Sequence, residues 1–159
     1  MITAVDTNIL LDILIGDPDF YDKSFSLIEE YGAKGALIIC PLVYTELLVF
    51  FIKRSKDEAT TKLDEFLSNL SITVIGFSKE DTLTAATAWH NKTSIDKIQC
   101  SSCGHEQHFV CMNCRKPVKW RTHFLTDFFI GAHAQNRAAV LLTRDQGFYK
   151  KHFTIKIEN

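Results

Sequence analysis

Two short apolar runs that stop at an aspartate constrain the fold of this chain more than any other feature. The first run, I-T-A-V-D, ends at Asp6, and the second, V-L-L-T-R-D, reaches Asp145 near the other end of the chain. Apolar runs of this length are typical of buried parallel strands. Because α/β proteins place their chemistry at the carboxyl ends of such strands, we expect both aspartates at one edge of a single sheet.

The segments between these runs alternate between strand and helix patterns. Further strands are predicted at 36–40, 72–75 and, on the edge, 155–157, in addition to 2–6 and 138–143. Helices are predicted at 9–14, 21–31, 41–53, 56–70, 78–91 and 124–136, with Ser78 and Asp81 resembling a capping box. This order predicts an α/β fold with a parallel sheet covered on both faces. A length of 159 residues suits one domain, residues 1–159.

Charge and hydropathy exclude several classes of protein. The 18 basic residues and 19 acidic residues give a net charge of −1, so any contact with nucleic acid must come from a local patch. No apolar run approaches the length of a membrane span, and no cationic leader precedes the first strand. We therefore expect a cytoplasmic protein.

Two further acids fall on predicted helices that leave the same edge of the sheet. Glu46 and Asp127 are each the lone acid in a strongly apolar stretch. If the fold brings four carboxylates together, they cannot all stay ionised without a cation. Oxygen-only ligands favour Mg²⁺ or Mn²⁺. The set Asp6, Glu46, Asp127 and Asp145 therefore predicts metal-dependent phosphodiester chemistry, in which the ion activates a water molecule for attack on phosphorus.

Each acid also has a simpler explanation. Asp6 is a good helix N-cap, and Glu46 could face outward. Asp127 could be a charge favoured by a helix N-terminus, and Asp145 could belong to a β-turn. Thr143, two residues before Asp145, could donate its hydroxyl to a carboxylate or to a water molecule.

Residues 94–122 interrupt the alternation with a cluster of cysteines. The pattern is C-x₂-C-x₇-C-x₂-C, formed by Cys100, Cys103, Cys111 and Cys114. Two such pairs can present four thiolates tetrahedrally to one Zn²⁺, so we predict a small zinc ribbon inserted in the domain. Redox-active disulfides are the competing interpretation. Cys40, at the end of a predicted strand, is expected to be a buried apolar residue.

The insertion and its flanks are locally basic. Phe109 and Trp120 lie among these charges, and basic with aromatic side chains suit phosphate contact and base stacking. The alternative is a structural staple or a dimer contact. The candidates for RNA binding are Arg115, Lys116, Lys119 and Arg121.

Four stretches resemble the PIN-domain nucleases of the VapC-like type. They are V-D-T-N-I-L-L-D (5–12), P-L-V-Y-T-E-L-L (41–48), T-D-F-F-I-G-A-H-A (126–134) and L-L-T-R-D-Q-G-F (141–148). The resemblance implies a three-layer α/β/α sandwich and a Mg²⁺- or Mn²⁺-dependent endoribonuclease. The family's four acids correspond to Asp6, Glu46, Asp127 and Asp145, and its supporting polar residues to Asn8 and Thr143.

The same resemblance extends to two further residues and to partners. Asp12 matches a position that is often acidic but could equally lie on a solvated helix face, and His133 is expected to pack. The family implies an RNA substrate, a homodimer, and a small antitoxin that covers the apolar N-terminal region. Three functions follow: the ribonuclease toxin of a type II toxin–antitoxin pair, a housekeeping nuclease that processes rRNA or tRNA, or a non-catalytic RNA- or protein-binding module. The zinc ribbon departs from the usual family pattern and favours the second, whereas retention of all four acids argues against the third.

Overall fold

The computed structural model describes residues 1–91, 110–116 and 126–159, together with the backbone of residues 98–99 and 106–107. The strands are β1 (Ile2–Val5), β2 (Ala36–Ile39), β3 (Ile72–Val74), β4 (Ile98–Gln99), β5 (Glu106–Gln107), β6 (Val140–Leu142) and β7 (Lys156–Glu158). The helices are α1 (Thr7–Ile15), α2 (Tyr21–Lys34), α3 (Pro41–Ile52), α4 (Ala59–Asn69), α5 (Lys79–His90), α6 (Thr126–Arg137) and α7 (Gln146–His152).

Five parallel strands form the central sheet in the order β3-β2-β1-β6-β7. In the middle of β1, Ala4 pairs with Ile38 on one side and with Leu141 on the other. Right-handed crossovers place α1 to α4 on one face of this sheet and α5 to α7 on the other. The contacts agree, since α2 packs on β2 and α4 on β3, whereas α6 packs on β1 and β6. The predicted α/β fold with a covered parallel sheet is confirmed.

Three helices begin where a strand of the sheet ends. Asp6 follows β1 and caps α1, Cys40 follows β2 and precedes Pro41 in the first turn of α3, and Asp145 caps α7 shortly after β6. The proline suits this place because its missing N–H would have no partner inside the helix. The carboxyl edge of the sheet is therefore lined by helix N-termini.

A buried carboxylate joins α5 to α6 and so fixes the helix that carries Asp127. Asp81 forms the predicted capping box with Ser78, accepting from the Ser78 backbone N–H at 2.7 Å. The same carboxylate accepts from Asn136 at 3.1 Å and from Arg137 at 3.0 Å. Burial acts to raise the pKa of Asp81, but these hydrogen bonds outweigh it and the pKa is lowered.

The sequence did not predict α7, and the boundaries predicted for α2 and α4 differ from the observed ones. α2 runs through Gly32 to Lys34 and ends at Gly35, whose φ of 152° disfavours any residue with a side chain. A Cβ on Gly35 would also lie 2.0 Å from the carbonyl oxygen of Met1. The helix predicted at 56–70 begins instead as a 3₁₀ turn, Lys56–Glu58, before α4.

The insertion is described only in part. β4 and β5 pair antiparallel, with Ile98 opposite Gln107, inside the segment predicted to depart from the alternation. Cys100, Cys103, Lys119 and Arg121 lie outside the described residues, so the predicted ribbon remains a prediction. Within the ranges given above, no helix has the length and apolar character that crossing a bilayer requires.

Candidate active site

Asp6 is the most buried of the four predicted acids, with 5% of its surface exposed. Its Oδ1 accepts from the backbone N–H of Thr7 at 2.8 Å. Its Oδ2 accepts from Asn8 Nδ2 at 2.8 Å and from the Thr143 hydroxyl at 2.6 Å. Since a carboxylate offers about four lone-pair directions, these three bonds leave about one open. Asp6 thus caps the helix, and its carboxylate is held in a fixed orientation with about one lone-pair direction unoccupied.

The Thr143 hydroxyl is the centre of this hydrogen-bond network. It is completely buried, and it also accepts from Asn8 Nδ2 at 3.1 Å and from the Asp145 backbone N–H at 3.0 Å. Asn8 Oδ1 in turn accepts from the Arg144 backbone N–H at 3.1 Å. Asp145 is exposed at the rim, where its Oδ1 accepts from the Phe148 N–H at 3.1 Å. The network joins the start of α1 to the start of α7.

The other two acids reach the same region from helices. Glu46 is half-buried on α3, and its Oε2 accepts a hydrogen bond from the Thr7 hydroxyl, so it does not simply face outward. Asp127 is half-buried in the first turn of α6, where a negative charge is favoured. The charges of Glu46 and Asp127 both act on Asp6.

The electrostatics of Asp6 reflect this crowding. Burial raises the pKa of Asp6 from 3.8 to about 6, and the negative charges of Asp127 and Glu46 push in the same direction. Hydrogen bonds from Thr143 and Thr7 oppose the rise without cancelling it. The carboxylate therefore lies in a region that is already negative, where a cation would relieve the repulsion.

The carboxylate ligands suit a divalent ion that keeps several waters better than an ion coordinated by protein ligands alone. In the part of the chain that the structure describes, no three Asp, Glu, His or Cys side chains form a group that could hold a metal ion between them. Mg²⁺, however, usually keeps several waters and binds through one or two carboxylates. The free direction on Asp6, the surrounding oxygen donors and the local excess of negative charge fit such an ion.

Comparison with known proteins identifies the family of this fold. The PIN domain family matches residues 3–107, which is more than half of the chain. The chain belongs to the PIN domain family. No match was found among curated proteins.

Solved structures with the same fold cover nearly the whole chain. A chain of VapBC2 from Rickettsia felis, crystallised with a DNA fragment from the promoter, is 24% identical with a TM-score of 0.66. That similarity covers 100% of this chain and 98% of the other. VapBC-1 from nontypeable Haemophilus influenzae is 16% identical with a TM-score of 0.63, covering 100% and 98%. DNA-bound VapBC from Salmonella typhimurium is 16% identical with a TM-score of 0.62, covering 99% and 97%.

The matched PIN segment contains only part of the site. Asp6, Asn8 and Glu46 lie within residues 3–107, whereas Asp127 and Asp145 lie beyond it. The sheet order brings the two parts together, because β6 pairs directly with β1.

Two residues near the PIN-domain site have structural roles. Asp12 is 1% exposed, so the solvated-face interpretation is wrong. Its carboxylate pairs with Arg144 at 3.0 Å and accepts from the Ser24 hydroxyl at 2.7 Å. His133 is buried edge-on against Phe77, and burial lowers its pKa, in keeping with the packing role expected for it.

Sequence reasoning missed three residues at this site. Thr7 donates to Glu46, Arg144 forms an ion pair with Asp12, and Tyr149 is buried within reach of the charges of the acids. A hydroxyl directly after a strand-end acid was a usable signal for Thr7. For Tyr149 the signal was its position one helical turn after Asp145. Nothing local in the sequence marks the Arg144 pair, which depends on tertiary packing.

The described part of the insertion contains a tight turn around one cysteine pair. Backbone N–H groups of Cys114 and Asn113 donate to the Cys111 sulfur and lower its pKa. The turn closes with Arg115 in the left-handed region at φ 58°, its N–H donating to the Cys111 carbonyl at 2.8 Å. Arg115 and Lys116 are both exposed.

Proposed function

We propose that this PIN domain is a metal-dependent endoribonuclease that hydrolyses RNA phosphodiester bonds. The observation that carries the proposal is Asp6, a buried carboxylate that is oriented by Thr143 and Asn8 and crowded by other acids. Such crowding is typical of sites built for a cation and a transferring phosphoryl group. The residues that would hold Mg²⁺ or Mn²⁺ are Asp6, Glu46, Asp127 and Asp145.

A bound divalent ion would make a water molecule more acidic and offset charge on the scissile phosphate. The protein's own contribution is orientation. Asn8 and Thr143 hold the Asp6 carboxylate in one direction, and Thr7 holds Glu46 on the neighbouring helix. His133 is buried against Phe77, which leaves it unsuited to act as a general base.

We further propose that the protein is the toxin of a toxin–antitoxin pair. The likeness of its fold to chains of VapBC complexes supports this role. So does an apolar surface where α1 ends and α2 begins, because Ile15, Phe20 and Tyr21 are exposed there. A group of exposed apolar side chains suits a protein partner. We propose that a small antitoxin covers this surface. A homodimer is expected from the family resemblance.

The cysteine cluster supports a second function, RNA processing. The turn around Cys111, with N–H groups directed at sulfur, is the local geometry that a thiolate zinc ligand requires. We propose that Cys100, Cys103, Cys111 and Cys114 bind one structural Zn²⁺, and that Arg115, Lys116, Lys119 and Arg121 contact RNA. If replacing Arg115, Lys116 and Lys119 left RNA affinity and its salt dependence unchanged, the RNA-contact role would be wrong.

Retention of the acids argues against a non-catalytic module. A binding module would not need Asp6 buried among like charges, since burying an ionised carboxylate is unfavourable without a compensating function.

The deciding experiment is cleavage of a mixed pool of structured RNA with Mg²⁺ or Mn²⁺. Wild type is compared with Asp6→Asn and Asp145→Asn, and with Asp57→Asn as a matched control at an exposed acid remote in sequence. We expect cleavage by wild type and the control only. Cleavage by Asp6→Asn at the wild-type rate would overturn the proposal. The toxin role would be favoured by cut sites in a single RNA together with growth arrest that a co-expressed partner relieves. Cuts at the ends of precursor RNAs would favour a role in RNA maturation.

A further inference from the structure

The hydroxyl of Tyr149 is buried without a hydrogen-bond partner. Tyr149 is 1% exposed, and its OH bonds to no atom in the described part of the chain. A buried hydroxyl that bonds to nothing destabilises the folded state, whereas a phenylalanine of the same shape would avoid that cost. The hydroxyl therefore requires an explanation beyond packing of the ring.

The position of Tyr149 in α7 directs it toward the acids. It lies four residues after Asp145, the cap of α7, and so on the same side of the helix. Side chains on a helix lean toward its N-terminus, which here is the carboxyl edge of the sheet. The ring packs against Phe148 and Phe153, which hold it in place.

Several negative charges act on the Tyr149 hydroxyl. Burial raises the pKa of Tyr149, and the negative charges of Asp6, Asp127 and Asp145 raise it further. The hydroxyl thus keeps its proton and is available as a donor to anions or to water. Three acids from three separate parts of the chain act on this one group, so the buried hydroxyl lies within reach of the charges of the candidate site.

We propose that Tyr149 is a positioning residue whose hydroxyl hydrogen-bonds to a water in the hydration shell of the divalent ion held by the surrounding acids. This inference rests on the proposed metal-dependent function. A buried water needs two to four polar partners, and an ion that retains waters would bring such waters close to the acids. The acids accept hydrogen bonds from such waters, and the Tyr149 hydroxyl can accept from one water and donate to another. The unpaired hydroxyl is then a group prepared for the loaded state.

The competing explanation is that tyrosine is retained only for its ring. The two explanations differ in what Tyr149→Phe does to the metal-free protein and to the metal affinity separately. A matched control is Tyr31→Phe, because Tyr31 is also buried, at 5% exposed, but its hydroxyl bonds to Glu158.

The test measures stability by urea denaturation of metal-free protein and Mn²⁺ affinity by calorimetry. For Tyr149→Phe we expect metal-free stability equal to or above wild type and a loss of Mn²⁺ affinity of about 10-fold, the effect typical of a group that supports a metal through a ligand. For Tyr31→Phe we expect lower stability and unchanged affinity.

Each other outcome has a distinct meaning. Wild-type Mn²⁺ affinity in Tyr149→Phe overturns the role of the hydroxyl and leaves the metal-dependent function standing. Lower metal-free stability of Tyr149→Phe also overturns it, since the hydroxyl would then have a structural partner. Wild type that binds no Mn²⁺ overturns the inference and the proposed function together.

Discussion

The hydroxyl of Thr143 donates to Oδ2 of Asp6 at 2.6 Å, although 137 positions separate the two residues in the chain. Both groups are buried where β1 and β6 end side by side. The bond holds one acid of the candidate site in a fixed direction, and the same hydroxyl accepts from Asn8 and from the Asp145 N–H. We expect both the stability of the protein and its cleavage activity to depend on this bond.

Replacing Thr143 by valine should impair both cleavage and stability. Thr143→Val removes the donor to Asp6 and the acceptor for two N–H groups, so we expect the free energy of unfolding to fall by about 1–3 kcal/mol. Cleavage should fall by at least about 10-fold, since the carboxylate loses its orientation. Thr143→Ser, which keeps the hydroxyl, is the control and should retain most activity. Equal activity of the valine and serine variants would contradict this role.

The pH dependence of metal-free stability should carry a contribution from Asp6. Its pKa in the folded protein, about 6, lies above the value of 3.8 expected in the unfolded chain. The folded state therefore holds the proton more tightly, and this stabilisation is fully present below about pH 4 and lost as pH rises through 6. The shift corresponds to about 3 kcal/mol.

Urea denaturation between pH 4.5 and 7.5 measures this contribution. We expect Asp6→Asn to remove the decline with rising pH and Asp57→Asn to preserve it. Identical pH profiles for wild type and Asp6→Asn would contradict the assignment.

The ion pair between Arg144 and Asp12 should respond asymmetrically to substitution. Arg144→Met leaves a buried carboxylate with only the Ser24 hydroxyl, and we expect a loss of about 2–3 kcal/mol. Asp12→Asn leaves the partly exposed guanidinium to water and should cost about 1 kcal/mol. The double variant should be no less stable than Arg144→Met alone. A double-mutant cycle that measures the free energy of unfolding by urea denaturation tests this. Additive losses would mean that the two groups do not interact.

The contact between α6 and Phe153 leaves no room for a side chain at Gly131. A Cβ there would lie 2.2 Å from Cε2 of Phe153, whose ring is buried, so Gly131→Ala should lower stability by about 1–3 kcal/mol. Gly147→Ala is the matched control because its nearest neighbour, Asp145 Oδ1, lies at 4.0 Å, and we expect no loss or a gain of about 0.5 kcal/mol. Thermal denaturation distinguishes the two. Adding Phe153→Leu to Gly131→Ala should restore part of the loss if the ring is the obstacle.

The zinc prediction can be checked by metal analysis of purified protein. We expect about one zinc ion per chain in wild type, lost in Cys111→Ser because three thiolates hold Zn²⁺ more weakly than four. Cys40→Ala is the control, since Cys40 is buried behind the N-terminus of α3, and its zinc content should match wild type. Wild type free of zinc after purification without chelator would show the prediction to be wrong.

The sequence alone determined the five strands of the sheet and the candidate acids at its edge, but it did not reveal α7. The apolar runs ending at Asp6 and Asp145 predicted two strand ends at one edge of a single sheet, and the structure goes further by pairing β1 directly with β6. Ser78 and Asp81 predicted the cap of α5, because capping depends on residues within one turn. Local signals sufficed where the interacting groups are close in the chain or where strand burial dictates the pattern.

Only the tertiary structure decided which hydrogen-bond and ion-pair partners the site residues have. Asp12 carried the same acidic character as the site residues, yet packing placed Arg144 beside it and made it part of an ion pair. Glu46 accepts a hydrogen bond from Thr7 on a neighbouring helix. The Tyr149 hydroxyl is influenced by the charges of acids from three parts of the chain. These relationships depend on helices meeting across the sheet edge, and no periodicity within a single segment encodes the distance between side chains on different segments.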